Sequence, residues 1–320
     1  MHMFRTFLTG LLSLTITITA NIAHAEQLNF KKSRQGDSQH FQYKWLDSNG
    51  NTQQIGFNLD SNKLAATPTE QQNYRPELAM RYVTVELLKV ARQFDPRDAN
   101  IKIRQQGDTV LTNVKARDKE KLNMIQGQLA QAKEAAYDDY LDKHYFTRYR
   151  SFFNEEAIKP DHIRYMTEMT DALIPLSQAF YEKVNTQADA REYFNLLLSW
   201  VQSIPYDALD NRAQSNGSGF APPAQLLNEN RGDCDSKSVL IASIARAFLP
   251  DTAMVLVLLP EHALLGIALT PKKGEETLVE DGKTYVLIEP TGPALFTFGE
   301  IAESSAKDIA KGMYTLEQIQ

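Results

Sequence analysis

The sequence predicts an α+β chain. Three observations carry this. Aromatic residues alternate on either side of Asn49-Gly50. Apolar residues recur at spacings of three and four over residues 118–141, and again from Cys234 to Phe248. Three apolar runs between Ala253 and Glu289 are separated by turn residues.

The first segment reads as an export signal. Arg5 precedes an uncharged apolar stretch (Phe7, Leu8, Leu11, Leu12, Leu14, Ile16, Ile18), which ends at Ala23-His24-Ala25. That small-x-small ending predicts cleavage after Ala25, and hence a periplasmic or secreted protein. The apolar part is shorter than the ~20 residues a spanning helix needs. No later stretch is long and apolar enough to span, so no stable membrane insertion is expected. Cleavage removes Arg5 and no acid, so the net charge goes from −6 to −7. A mildly acidic exported chain is not a nucleic-acid binder by charge. The expected organisation is residues 1–25 as signal peptide, 26–160 as an α+β region of unknown role, and 161–320 as the domain that carries chemistry.

Within 26–160, Phe41 to Trp45 and Gln53 to Phe57 predict a hairpin turning at Asn49-Gly50. Pro76 suits a first helical position, and Leu78, Tyr82, Val85 and Leu88 fall on one face of a helix running to Gln93. Residues 101–114 predict a second hairpin turning at Gly107-Asp108. A long helix follows over 118–141, with Leu122, Ile125, Leu129, Ala132, Ala136 and Tyr140 on one side. The aromatic cluster from Tyr145 to Phe153 reads as packing. His40, His144 and His162 have no metal-ligand spacing and read as structural.

Asp161 predicts the cap of a helix reaching about Val184, with Pro175 as a kink. A largely buried helix is expected over 188–203, ending at Pro205-Tyr206. Residues 207–232 read as a long loop, of the kind that is usually functional.

The only cysteine is Cys234. In an oxidising compartment cysteines usually pair, so a lone one is either buried filler or a working thiol. It stands in Gly232-Asp233-Cys234-Asp235, directly before an apolar helical run. Asp233 is the expected N-cap, which puts the thiol in the first helical turn. Free backbone N–H groups and the helix dipole there favour an anion and predict a lowered thiol pKa. Asp233 and Asp235 oppose this, so a basic partner is needed. Runs 253–259, 262–269 and 284–289 read as strands. If the second and third are antiparallel neighbours, His262 at the start of one lies beside Glu289 at the end of the other. Thiol, imidazole and carboxylate then make a Cys-His-acid triad: His262 takes the thiol proton and Glu289 fixes the imidazole tautomer.

From about Asp189 to Pro293 the chain resembles the transglutaminase-like superfamily, in its bacterial cysteine-proteinase form. The resemblance rests on Trp200 to Tyr206, the Gly232-Asp233-Cys234-Asp235 box, the His262 strand, and Ile288-Glu289-Pro290-Thr291. It implies a papain-like core, in which the cysteine helix packs on an antiparallel sheet holding the histidine and acid. By position it implies Cys234 as nucleophile, His262 as base and Glu289 as third member, where the family usually has Asp. It also implies Tyr206 as an aromatic that helps hold the oxyanion, with the backbone N–H of Cys234.

The expected function is an exported thiol enzyme acting on peptide or amide bonds, with hydrolysis favoured. An acyltransferase that crosslinks proteins shares the same acyl-enzyme. A non-catalytic module holding a peptide or cell-wall stem is the reading from a different class. The partner is a protein or peptide, including cell-envelope material. The mechanism calls for no cofactor and no metal.

Overall fold

Period-two alternation builds the first sheet. Glu26–Gln35 (β1), Ser38–Leu46 (β2) and Thr52–Asp60 (β3) pair antiparallel in the order β1-β2-β3. Phe41, Tyr43 and Trp45 alternate inward on β2, opposite Phe57, Ile55 and Gln53 of β3. The computed structural model to which these strands belong describes residues 24–184, 189–209 and 219–319. The expected leader therefore lies outside the described residues up to position 23, as does 210–218 of the expected loop. β1 was not anticipated; its polar, mostly exposed sequence shows no alternation.

Pro76–Ala91 (α2, after the single turn Ser61–Leu64, α1) and Lys119–Lys143 (α3) pack on the hairpin Ala99–Gln106 (β4) and Thr109–Ala116 (β5). Both helices and the hairpin match expectation. The core-facing stripe of α2 does not. Leu78, Val85 and Leu88 are exposed, and Ala79, Val83 and Leu87 are buried. The small residue Ala79 sits against the Tyr140–Leu141 end of α3. The aromatic cluster after α3 is a further hairpin, Phe146–Arg150 (β6) with Glu156–Pro160 (β7).

His162–Tyr181 (α4) is capped by Asp161, whose side chain accepts from the Arg164 N–H at 3.1 Å. Ala190–Ser203 (α5) is capped by Asp189. Pro223–Glu229 (α6) lies within the stretch expected to be loop. Cys234–Phe248 (α7) is buried along most of its length. It packs on an all-antiparallel sheet of Met254–Leu258 (β8), Ala263–Ile267 (β9), Thr277–Glu280 (β10), Lys283–Ile288 (β11) and Thr315–Ile319 (β12), after Glu303–Ala310 (α8). The sheet order is β10-β11-β9-β8-β12. β10 and β12 were not anticipated.

One continuous core joins Phe41, Trp45 and Phe57 of the first sheet to Phe180 and Trp200 of the helices, then to Ile244, Leu265 and Ile288. The boundary expected at residue 160 cuts this core, so β1–β3 belongs physically with the domain carrying Cys234. The unit formed by α2, β4, β5 and α3 has its own core. No helix among the described residues is long and apolar enough to cross a membrane.

Candidate active site

Asp233 begins α7. Its carboxylate accepts from the Ser236 N–H at 2.9 Å and also from the Ser236 hydroxyl, as the capping expectation required. Gly232 precedes it in tight contact, since an added Cβ would lie 2.8 Å from Leu226 Cδ1. Cys234 is therefore the first residue of the helix, with backbone N–H groups that lack intrahelical acceptors.

β9 and β11 are antiparallel neighbours, with Ile288 opposite Leu265. The next pair in that register sets Glu289 opposite Leu264, two residues from His262 and on the same side of the sheet. The side chains meet: His262 Nε2 and a carboxylate oxygen of Glu289 form a short hydrogen bond. Glu289 is buried, and its second oxygen lies 3.5 Å from the Ser305 hydroxyl. Gln202 Nε2 donates to the Glu289 carbonyl at 2.7 Å, tying the end of β11 to α5. With Nε2 turned to Glu289, Nδ1 is the nitrogen left for the thiol.

Cys234 and His262 line one cavity of about 290 Å³, together with Asp235, Lys159, His162 and Phe152. A second cavity of about 390 Å³ shares Leu259, Glu261 and His262 with the first and continues to Glu289 and Asp308. His262 therefore lines both cavities. The Cys234 thiol donates to Asp235 Oδ1 at 3.5 Å. Tyr206 is not part of this lining. Its backbone pairs with Gly232, and its side chain is more than half exposed.

The electrostatics correct one expectation. The Cys234 thiol pKa is pushed up, not down, first by burial and then by the charges of Asp235 and Asp233. Burial and these charges outweigh the helix start. His262 is pulled downward by burial, but the hydrogen bond and charge of Glu289, with Asp235, outweigh this and raise it. The raised thiol pKa favours the protonated form, and His262 lines the same cavity.

Two buried basic residues at the site were not singled out from sequence. Lys237, one turn after Cys234, is buried and donates to the Ile204 carbonyl at 2.5 Å. Burial pushes its pKa down to about 8. Its signal was a lysine on the buried face of an apolar helix. His162, read as structural, is buried at the start of α4 and lines the cavity. No sequence spacing links it to Cys234.

Burial and the Asp235 charge raise the Asp233 carboxyl to about 7. A carboxyl held above its unfolded value of about 3.9 costs stability as pH rises from about 4 through 7, because folding then disfavours the ionised form. Asn caps a helix as well as Asp does. Asp233→Asn is therefore expected to melt several degrees above the native chain at pH 8, at about 2–4 °C per kcal/mol. The difference should close by pH 4. Thermal melts across that range check this; a gain at pH 4 as large as that at pH 8 contradicts it.

Comparison with models of protein families finds no match to this chain, and comparisons with curated proteins and with solved structures find none either.

Proposed function

We propose that this chain is an exported thiol enzyme that opens peptide or amide bonds through an acyl-enzyme on Cys234, with water as the favoured second nucleophile. The observation that carries the proposal is the His262–Glu289 pair lining one cavity with the chain's only cysteine, which begins a helix. A cysteine helix on an antiparallel sheet bearing histidine and acid is also the arrangement that the transglutaminase-like, papain-like reading calls for.

The chemistry follows from the atoms. His262 Nδ1 accepts the thiol proton as sulfur attacks the carbonyl carbon. The developing oxyanion is met by the backbone N–H of Cys234. The imidazolium, steadied by Glu289, passes the proton to the leaving amine as the C–N bond breaks. Water then enters, gives its proton to His262, and releases the acid. An amine entering in place of water would give acyl transfer with the same first half. Substrate has room beside Cys234 in the first cavity and beside Glu289 in the second, with His262 lining both.

Exposing the chain to p-nitrophenyl acetate tests this. Intact-mass and peptide analysis should find a single acetyl group on Cys234, absent from Cys234→Ala. No adduct, or an adduct that survives in Cys234→Ala, would overturn the proposal.

A further inference from the structure

Two imidazoles, His262 and His162, line the cavity that holds the Cys234 thiol, and only His262 has a role in the chemistry above. His162 approaches from α4. Lys159 Nζ lies 3.4 Å from His162 Nδ1, and an ammonium can only donate, so Nδ1 accepts and the ring proton sits on Nε2. That Nε2–H is buried and makes no hydrogen bond among the described residues. It faces Asp235 Oδ2 at 3.7 Å, just beyond bonding reach. The other oxygen of the same carboxylate holds the Cys234 thiol. The ring packs against Phe220 in a tilted arrangement, with centroids 4.7 Å apart and planes at 43°.

A buried donor left unpaired is costly, so one that persists beside a reactive group calls for an explanation. Asp235 is a good acceptor for a thiol and a bad neighbour for a thiolate, because two anions at 3.5 Å repel. When sulfur ionises, the carboxylate must turn away or take up a proton. The groups facing Asp235 are Lys159 on β7, Glu317 on β12, His262 before β9, and Cys234 and Asp233 on its own helix start. Lys159 is held by Glu317 at 2.8 Å, and His262 is held by Glu289. Among the described side chains facing Asp235, His162 Nε2–H is a donor that holds no other acceptor.

We propose that His162 is a positioning residue that draws the Asp235 carboxylate off Cys234 when the thiol gives up its proton. A small turn of the Asp235 side chain exchanges the S–H···O bond for an N–H···O bond to His162 and removes a negative charge from the thiolate. His162 stays neutral throughout, as its burial requires; burial, then the Lys159 charge, holds its pKa well below the usual histidine value. His162 does not touch substrate. It acts through Asp235.

This inference rests on Cys234 as the working thiol, and its test separates the two. Iodoacetamide alkylation of the full chain is followed against pH for the native protein and for His162→Phe, His162→Gln and Asp235→Asn, with His262→Ala in parallel. Phe keeps the ring and removes the donor; Gln restores an N–H near the Nε2 position. His162→Phe should slow alkylation at pH 7.5 by about tenfold and move the profile to higher pH, as expected for a like charge left beside the thiolate. His162→Gln should recover most of the rate. In the Asp235→Asn background His162→Phe should have no further effect, because the charge it manages is gone. Equal slowing by Phe and Gln, a native rate in folded His162→Phe, or an undiminished Phe effect in Asp235→Asn would each overturn the inference. An unchanged rate in His262→Ala would instead count against the proposed function, and would leave the Phe–Gln comparison readable.

Discussion

Replacing Glu289 with Gln should cut the acyl-forming rate of Cys234 by about 10⁴, the loss seen when the orienting carboxylate of such a triad becomes an amide. The reason is tautomeric. Glu289, acceptor-only when ionised, fixes the proton on His262 Nε2 and leaves Nδ1 as the base. A Gln amide can present its NH2 to Nε2 instead. The ring then carries its proton on Nδ1 and cannot take one from the thiol. The imidazolium formed during attack would also lose its counter-charge. Because Glu289 is buried, the amide is readily accommodated, and folding should be little disturbed. Pre-steady-state acylation with p-nitrophenyl acetate, alongside circular dichroism, reads both effects. A folded Glu289→Gln acylating within a few-fold of the native rate contradicts this role.

The second large effect is on stability. Trp45→Ala should cost about 3–5 kcal/mol, the usual price of emptying a large buried aromatic site. Trp45 is fully buried, packs near Phe180 with tilted rings whose centroids are 6.3 Å apart, and donates its indole N–H to Ser199 Oγ at 2.9 Å. That bond joins the first sheet to α5, whose far end holds Gln202 against the Glu289 backbone. Losing Trp45 removes packing and leaves Ser199 without its donor. Urea unfolding measures the loss. A cost below about 1 kcal/mol would mean that β1–β3 is a separable appendage, and the expected boundary at residue 160 would then stand as a physical one.

The parts of the fold that local chemistry determines were legible in the sequence. Asp161 and Asp233 cap helices because a short carboxylate before an apolar periodic run satisfies free N–H groups. The β9 run is apolar throughout and the β11 run is apolar from Tyr285 on, and their antiparallel pairing brought His262 to Glu289 as expected. What depends on distant partners was not legible. β12 is half polar and becomes a strand by pairing with β8, far away in sequence. The buried face of α2 is set by α3 and the β4–β5 hairpin, which favour Ala79, Val83 and Leu87 over bulkier neighbours. His162 and Lys159 reach the thiol only because α4 and β7 are carried there by the shared core. The direction of the thiol pKa was misjudged for a related reason. A helix start is visible in sequence, but the burial that overrides it is not.

The central claim is that Cys234 is a nucleophile whose proton is taken by His262. The most direct measurement is the alkylation rate of the native chain against pH, beside that of His262→Ala. His262 acts as base only when unprotonated, and its pKa is raised. The native rate should therefore climb as pH rises through a value somewhat above 6.5, while His262→Ala should rise only beyond the ordinary thiol range of about 8.5. At pH 7.5 the variant should be slower by at least about tenfold, at the low side of what general-base assistance supplies. Superimposed profiles for the two folded proteins would contradict the account.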